Sequence, residues 1–183
     1  MTERRARDLD LLDAIDAFKR KPFAQPVWRV AREGREPTLG AATRSRWCDG
    51  NFDVLYTSLE REGALAEIHA LLNLQPVFPS KIRSFVHRLA IDAKATLRLA
   101  DLPTLAKLGV DVKRYRERDY TKTQAIADAA YFLGFDGLVA PSARWDCLNA
   151  VLFTDRIASG GITLIETEGE SIDWGAWRRM SRK

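Results

Sequence analysis

Apolar residues recur along the chain with two different periods, and together these predict a mixture of helices and strands. The predicted helices lie, in chain order, within residues 7–20, 60–74 and 123–133. The first rests on the helical spacing of Leu11, Ile15 and Phe18, and we expect Pro22 to end it. Gly134 is expected to end the third.

Short segments rich in β-branched and aromatic residues predict the strands. They comprise residues 27–31, 54–58, 85–91, 96–100, 137–140, 149–153 and 162–166. Residues 32–53 are polar and show no sustained period, which predicts a long loop of the kind that often carries function. Because helices and strands interleave irregularly, the pattern favours an α+β fold over a doubly wound α/β sheet.

Length and composition indicate one domain over residues 1–183, with segments 7–20 and 174–183 as extensions. With 46% apolar residues, a chain of 183 residues can bury one sizeable core. The 29 Lys and Arg residues outnumber the 25 acidic residues by four, which favours an anionic partner without requiring nucleic acid. The charged start, MTERRARDLD, and the lack of a long apolar run predict a cytoplasmic protein with no membrane contact.

The motifs of several common enzyme classes do not occur in the sequence. There is no GxxxxGK[ST], no GxGxxG after a strand and no HExxH, so P-loop hydrolysis, Rossmann cofactor binding and zinc proteolysis lose their usual support. Cys48 and Cys147 lie far apart without metal-ligand spacing, so we predict no metal site. A single disulfide between them stays open.

Five residues are candidates for a functional site: Arg29, Arg46, Tyr56, Glu67 and Ser142. Arg29 lies in an apolar strand, where a charge needs a partner or a ligand, and an ion pair with Glu67 is the structural alternative. Tyr56 alternatively packs in the core, and Ser142 alternatively caps a turn. Trp47 is either part of a ligand cleft or a core anchor, and His87 is interpreted as a hydrogen-bonded core residue.

The order of several short motifs resembles the RES family, the toxins of RES and Xre toxin-antitoxin modules. The matching pieces are WRV at 28–30, RW at 46–47, LYTS at 55–58, AxxE at 64–67, TQ at 123–124 and PSAR at 141–144, followed by Asn149. Together they span roughly residues 26–155. Ser45 stands before Arg46, where family members commonly carry glycine.

This resemblance implies an ADP-ribosyltransferase-like single domain with a central, largely antiparallel split sheet flanked by helices, and NAD+ as the substrate. The catalytic group would be Glu67, Arg29 and Tyr56, with Glu67 stabilising the cationic ribose or orienting its hydroxyls. Tyr56 would stack on nicotinamide and position the ribose.

The resemblance also implies a role for the remaining candidates. Arg29 and Arg46 would clamp the diphosphate through bidentate hydrogen bonds. Ser142 and Asn149 would hydrogen-bond the ligand, and Ser142 is not expected to be a nucleophile because no activating base is evident beside it.

The implied partner is a cognate Xre-type helix-turn-helix antitoxin, which would itself contact DNA, so no direct nucleic-acid binding by this chain is expected. The acceptor of ADP-ribose is left open between phosphate, water and a protein. One alternative is a mono-ADP-ribosyltransferase that modifies one specific cellular protein, and another is a non-catalytic basic binding module.

The tail at residues 174–183 has a structural and a functional interpretation. We expect Trp174 and Trp177 to pack onto the domain, and the basic residues Arg178, Arg179, Arg182 and Lys183 to stay solvated. The alternative makes the tail a docking surface for an acidic antitoxin or target.

Overall fold

Five α-helices and six β-strands make up the described part of the chain, residues 6–181 of a computed structural model. In chain order they are α1 (Leu9–Asp16), β1 (Lys21–Arg32), β2 (Val54–Ser58), α2 (Arg61–Leu72), β3 (Ser84–Arg98), α3 (Leu102–Lys107), α4 (Thr121–Phe132), β4 (Gly137–Pro141), β5 (Leu148–Phe153), β6 (Ile162–Thr167) and α5 (Trp174–Met180). The α+β class is therefore confirmed. The long loop before β2 is confirmed as well.

The six strands form one sheet that closes on itself into a barrel, because β1 pairs with both β2 and β3. The barrel order is β1-β2-β5-β4-β3, and β6 pairs with β3 as an additional strand. All ladders are antiparallel except the one between β3 and β4. The resemblance implied a largely antiparallel split sheet. The antiparallel pairing is confirmed, but the strands form one closed sheet and not a split one.

The two longest strands, β1 and β3, pair along most of their length, and two predictions about them were wrong. Residues 85–91 and 96–100 belong to the single strand β3 and not to two strands. The first helix ends at Asp16, so Pro22 lies inside β1 and does not end the helix. Pro22 and Pro26 are tolerated because, among the described strands, this half of β1 forms a ladder with β3 alone.

The barrel wall is weakly joined between β1 and β2, which pair at one position, Trp28 with Ser58. Both strands continue beyond this position, β1 through Arg29–Arg32 and β2 backwards through Val54–Thr57. No ladder joins these two stretches within the described residues. The two strands therefore part here, and we call this opening the β1–β2 split.

Three apolar clusters hold the elements together. The barrel interior takes residues from all five of its strands, including Phe23, Val27, Leu55, Leu89, Val139 and Leu152. One outer face of the sheet packs against α1 and α4, and another packs against α2 and α5. The sheet thus has apolar contacts on both its inner and outer surfaces.

The C-terminal helix packs as its sequence predicted. Trp174 and Trp177 are buried in the cluster shared with α2, while Arg178 and Arg179 are exposed. The other two basic residues of the tail, Arg182 and Lys183, lie outside the described residues.

Two further sequence features can be stated for residues 6–181. Both cysteines are free, so the disulfide that the sequence left open is not formed. Cys48 is buried in the core, and Cys147 lies next to Ser58, with 3.3 Å between Sγ and Oγ. None of the helices in this range has the length and apolarity needed to cross a membrane.

Replacing Gly137 by alanine is expected to destabilise the barrel, because β5 approaches this glycine closely. An added Cβ would lie 2.7 Å from the Val151 carbonyl oxygen and 3.1 Å from the Leu152 Cα. We expect Gly137→Ala to lower the free energy of unfolding by about 1–3 kcal/mol in denaturant titrations. Gly169→Ala is the control, since a Cβ at Gly169 meets nothing within 4 Å. Equal stability of the two variants would contradict this account of the β4–β5 contact.

Candidate functional site

The Glu67 carboxylate of α2 lies at the centre of a polar group that also includes Ser142, directly after β4, and Asn149 of β5. Its Oε1 accepts hydrogen bonds from Ser142 Oγ at 2.6 Å and from Asn149 Nδ2 at 2.9 Å. Its Oε2 takes no hydrogen bond from residues 6–181. One oxygen is thus held in place while the other stays free to meet a ligand.

A close contact between α2 and the sheet sets the position of Glu67. Gly63 lies one helical turn before Glu67, on the same face of α2. An added Cβ at Gly63 would collide with Ser58 and Cys147, so only glycine allows the helix this close to β2 and β5. The helix then brings the Glu67 carboxylate within reach of Asn149, which pairs with Ser58 in the β2–β5 ladder.

Ser142 and Asn149 present their polar groups to Glu67 from opposite ends of one short connection. Ser142 follows β4, and its Oγ also accepts the backbone N–H groups of Arg144 and Trp145 at 3.1 and 3.2 Å. It is therefore both a turn-capping residue and a donor to Glu67. Asn149 is only 6% exposed, and its Oδ1 is buried without a hydrogen-bond partner among the described residues.

The turn at residues 45–48 is held by hydrogen bonds from β2 and α4. The Tyr56 hydroxyl accepts the Trp47 N–H at 2.6 Å and lies 2.7 Å from Ser45 Oγ. Gln124 of α4 donates to the carbonyl groups of Ser45 at 2.7 Å and Cys48 at 3.1 Å. Trp47 is 1% exposed and anchors the turn in the core, as the structural interpretation of this residue expected. Burial raises the pKa of Tyr56, so its hydroxyl stays neutral.

Ser45, which stands where the resemblance led us to expect glycine, fits this turn without backbone strain. Within residues 6–181 only glycines have a positive φ, so the turn does not need glycine before Arg46. The side chain of Ser45 instead contributes the contact with Tyr56.

Arg46 extends from this turn into an aromatic setting. Its guanidinium lies 4.7 Å from the ring centre of Tyr115 and 4.8 Å from that of Tyr120. Its Nη2 donates to the Glu117 carbonyl at 3.3 Å. Both rings thus make cation–π contacts with the guanidinium. Arg46 and Tyr115 also line a cavity of about 170 Å³.

Tyr115 connects Arg46 with the Glu67 group. Its hydroxyl donates to the Pro141 carbonyl at 2.7 Å, immediately before Ser142. Burial raises the pKa of Tyr115, the positive charge of Arg46 lowers it, and the negative charge of Glu67 raises it. Both charges therefore act on the same phenol, which places Arg46 and Glu67 in one region.

Arg29 occupies a different position, and its proposed ion pair with Glu67 is not formed among the described residues. It alternates with Val27 on the inner face of β1 and stands opposite His87 in the β1–β3 ladder. Its Nη1 is buried and takes no hydrogen-bond partner from residues 6–181. Burial, together with the charge of Arg35, lowers the pKa of Arg29 to about 10, so it stays charged at neutral pH at a cost to folding.

The structure brings most of the predicted site residues into one region. Glu67, Ser142 and Asn149 are joined by hydrogen bonds, and Arg46 and Tyr56 reach them through Tyr115 and the 45–48 turn. Two residues of this region, Tyr115 and Gln124, were not predicted as site residues. Gln124 belongs to the TQ motif, whereas Tyr115 lies in a polar segment without a period.

Three comparisons place the chain among known proteins. A family model described as the RES domain matches residues 26–174. A Mycobacterium tuberculosis protein named "Probable NAD(+) phosphorylase" is 34% identical over 140 residues, which cover 74% of this chain and 66% of that protein. The chain therefore matches slightly less than two thirds of that relative's length.

The fold has a clear counterpart among solved structures. A chain of the crystal structure of the M. tuberculosis MbcT-MbcA toxin-antitoxin complex matches with a TM-score of 0.83. The match covers 97% of this chain and 100% of that chain at 19% sequence identity. At this identity, the likeness establishes a shared fold.

Removing the Tyr56 hydroxyl is expected to loosen the 45–48 turn. In Tyr56→Phe the Trp47 N–H loses its acceptor, which should cost about 1–3 kcal/mol and accelerate hydrogen exchange at the Trp47 amide. Tyr131→Phe is the matched control, because the hydroxyl of the half-buried Tyr131 makes an exposed hydrogen bond to Asp155 and, among the described residues, none to the 45–48 turn. Unchanged exchange at Trp47 in Tyr56→Phe would show that this bond does not hold the turn.

Replacing Arg29 by methionine is expected to stabilise the isolated protein. The change removes a buried group that lacks a hydrogen-bond partner, so we expect a gain of about 1–3 kcal/mol in the free energy of unfolding. Arg32→Met, at an exposed position of the same strand, should change it by less than about 0.5 kcal/mol. A loss of stability in Arg29→Met would mean that Arg29 has a structural role.

Proposed function

Because the chain belongs to the RES-domain family, as its short motifs predicted, we propose that it is the toxin of a toxin-antitoxin module and that it consumes NAD+. One observation carries the proposal: the Glu67 carboxylate is held through Oε1 by Ser142 and Asn149 and keeps Oε2 free. The activity named for the 34%-identical relative supports NAD+ as the substrate. The toxin-antitoxin complex with the same fold supports the biological setting.

In the proposed reaction, the bond between C1 of the nicotinamide ribose and the nicotinamide nitrogen breaks. The nitrogen keeps the electron pair, and nicotinamide leaves as a neutral molecule. An oxygen of the acceptor forms the new bond to C1, and with inorganic phosphate the product is ADP-ribose phosphate. The ribose becomes cationic as nicotinamide leaves, so a fixed carboxylate beside it lowers the barrier.

The polar group around Glu67 suits this task because it is already organised. Ser142 and Asn149 hold the carboxylate, so little reorganisation is needed when positive charge develops on the ribose. The unpartnered Oδ1 of Asn149 offers an acceptor for a ribose hydroxyl or the nicotinamide amide.

Arg46 and Tyr56 take complementary roles in the proposal. The guanidinium of Arg46, held between two tyrosine rings, is suited to bidentate contact with a phosphate of NAD+. The Tyr56 hydroxyl is already engaged with the turn that carries Arg46, so we propose that this hydroxyl positions Arg46. Stacking of the Tyr56 ring on nicotinamide stays a prediction.

The proposal extends to the partner and to the wider family. We propose an Xre-type antitoxin that covers the Glu67 region, a cytoplasmic location, and a fold related to the ADP-ribosyltransferases. The identity of the ADP-ribose acceptor is to be determined by experiment, since phosphate, water and a protein give different products from the same first step.

The test follows nicotinamide and the adenylate-labelled product after incubation of the partner-free protein with labelled NAD+, phosphate and a cell lysate. We expect Glu67→Gln to reduce nicotinamide release by about 10²- to 10³-fold without a change in melting temperature. Glu62→Gln is the matched control, because Glu62 lies on the same helix and pairs only with Arg61 among the described residues. Labelled ADP-ribose phosphate, free ADP-ribose or labelled protein would identify the acceptor.

Two results would contradict the proposed function. One is the absence of nicotinamide release by the wild-type protein with phosphate and lysate present, which would favour a binding module. The other is full activity of Glu67→Gln, which would remove the carboxylate from the reaction.

A further inference from the structure

Two polar side chains without complete hydrogen bonding lie next to each other inside one end of the barrel. Arg29 of β1 and His87 of β3 are directly opposed in the antiparallel ladder, so their side chains leave the sheet on the same face. Directly opposed residues have Cβ atoms about 4.5–5.5 Å apart. The next pair on this face, Val27 and Leu89, belongs to the barrel core. Arg29 and His87 therefore form the polar end of an apolar interior.

Each of these side chains has a buried nitrogen that lacks a partner among residues 6–181. Arg29 Nη1 and His87 Nε2 are both in this state, and His87 as a whole is 7% exposed. The other ring nitrogen of His87, Nδ1, lies 2.9 Å from Thr167 Oγ1, which orients the ring. In folded proteins the large majority of buried polar atoms are bonded, so two unbonded nitrogens on adjacent side chains are suited to take an acceptor from outside the chain.

The charges around this pair are mainly positive. Burial lowers the pKa of His87, and the nearby charge of Arg29 lowers it further, while that of Glu36 raises it. The charge of Arg35 lowers the pKa of Arg29, as burial does. Neither Arg29 nor Arg35 forms an ion pair within the described chain. An anion would therefore enter a region whose positive charge is not neutralised.

We propose that Arg29 and His87 together bind one phosphate group at the end of the barrel, beside the β1–β2 split. A guanidinium and an imidazole supply N–H donors from two directions, and a phosphate has enough acceptor oxygens to take both. His87 is thereby assigned as a substrate-binding residue. The proposal rests on the proposed function, in which phosphate groups enter as the diphosphate of NAD+ or as the free acceptor.

The β1–β2 split connects this phosphate site with the Glu67 region. It separates Arg29 and the residues after it on β1 from Tyr56 and its neighbours on β2. Tyr56 in turn lies close enough to Glu67 for the carboxylate charge to affect its pKa. A phosphate bound at Arg29 is therefore separated from the Glu67 side of β2 by a gap in the barrel wall and not by a paired strand.

Binding of an anion at this position has a signature that does not depend on turnover. A phosphate next to His87 favours the protonated imidazole, so the pKa of His87 should rise on binding. The chain has two histidines, and the second, His69, packs against Phe78 and Trp174 and serves as an internal control.

The experiment is an NMR titration of the ¹⁵N-labelled histidine rings of the full chain, with signals assigned through His69→Gln. The pKa of His87 is measured in sodium chloride, in inorganic phosphate and in ADP, all at matched ionic strength. We expect phosphate, ADP or both to raise it by about one unit relative to chloride and to leave His69 unchanged. The shift should be lost in Arg29→Met.

The two phosphate sources give different outcomes in this titration. A shift with inorganic phosphate assigns the site to the free acceptor, and a shift with ADP alone assigns it to the diphosphate of the dinucleotide. Both outcomes support the proposal. If the pKa of His87 in phosphate and in ADP equals that in chloride, the proposal is overturned.

Kinetics separate this inference from the proposed function. His87→Gln should raise KM for phosphate or for NAD+ roughly tenfold or more with little change in kcat, while His69→Gln should keep the wild-type values. Unchanged KM values in His87→Gln would overturn the site while Glu67-dependent nicotinamide release still stands. If the wild-type protein releases no nicotinamide, the proposed function fails, and the NMR titration still tests the phosphate site by itself.

Discussion

The close approach of α2 to the sheet at Gly63 determines where the Glu67 carboxylate lies. A side chain at this position would push the helix away from Ser58 and Cys147, and the carboxylate one turn later would move with it. From the contact at Gly63 follow both hydrogen bonds to Oε1 and the orientation of Oε2. The apolar cluster shared by α2, α5 and the sheet also packs against this helix. Gly63 and this apolar cluster thus fix the position of the Glu67 carboxylate.

Six polar side-chain atoms are buried without a hydrogen-bond partner among the described residues, and three of them belong to the candidate site or the proposed phosphate site. The other three lie outside these sites: Arg88 Nε, Asp136 Oδ1 and Trp174 Nε1. Arg29 Nη1, His87 Nε2 and Asn149 Oδ1 share this state, although they belong to three different strands. Each such atom costs folding free energy, which the apolar clusters of the barrel offset. At these positions, polar atoms that are suited to bind a ligand lower the free energy of unfolding. This trade-off is common where a site is organised before its ligand binds.

Local patterns predicted α1, α2, α4 and most strands, because amphipathic spacing and β-branched segments act over a few residues. The short helices α3 and α5 were not predicted. Barrel closure escaped prediction, since the pairing of β1 with β3 joins segments that are distant in sequence. Within the site, motif order indicated Glu67 and Ser142, but Tyr115 lies in a polar segment where no period distinguishes it. The hydrogen bonds of the Tyr56 hydroxyl were not predicted either, because its partners lie in a loop whose conformation does not follow from the sequence pattern.

The distance in sequence between Glu67 and its two donors also has a consequence for biosynthesis. Ser142 and Asn149 follow the carboxylate by 75 and 82 residues, so α2 leaves the ribosome long before the polar group can form. At about 5–20 residues per second, this interval lasts roughly 4–16 s. A nascent chain therefore carries Glu67 through this interval without an assembled polar group, which can form only after Asn149 has been synthesised.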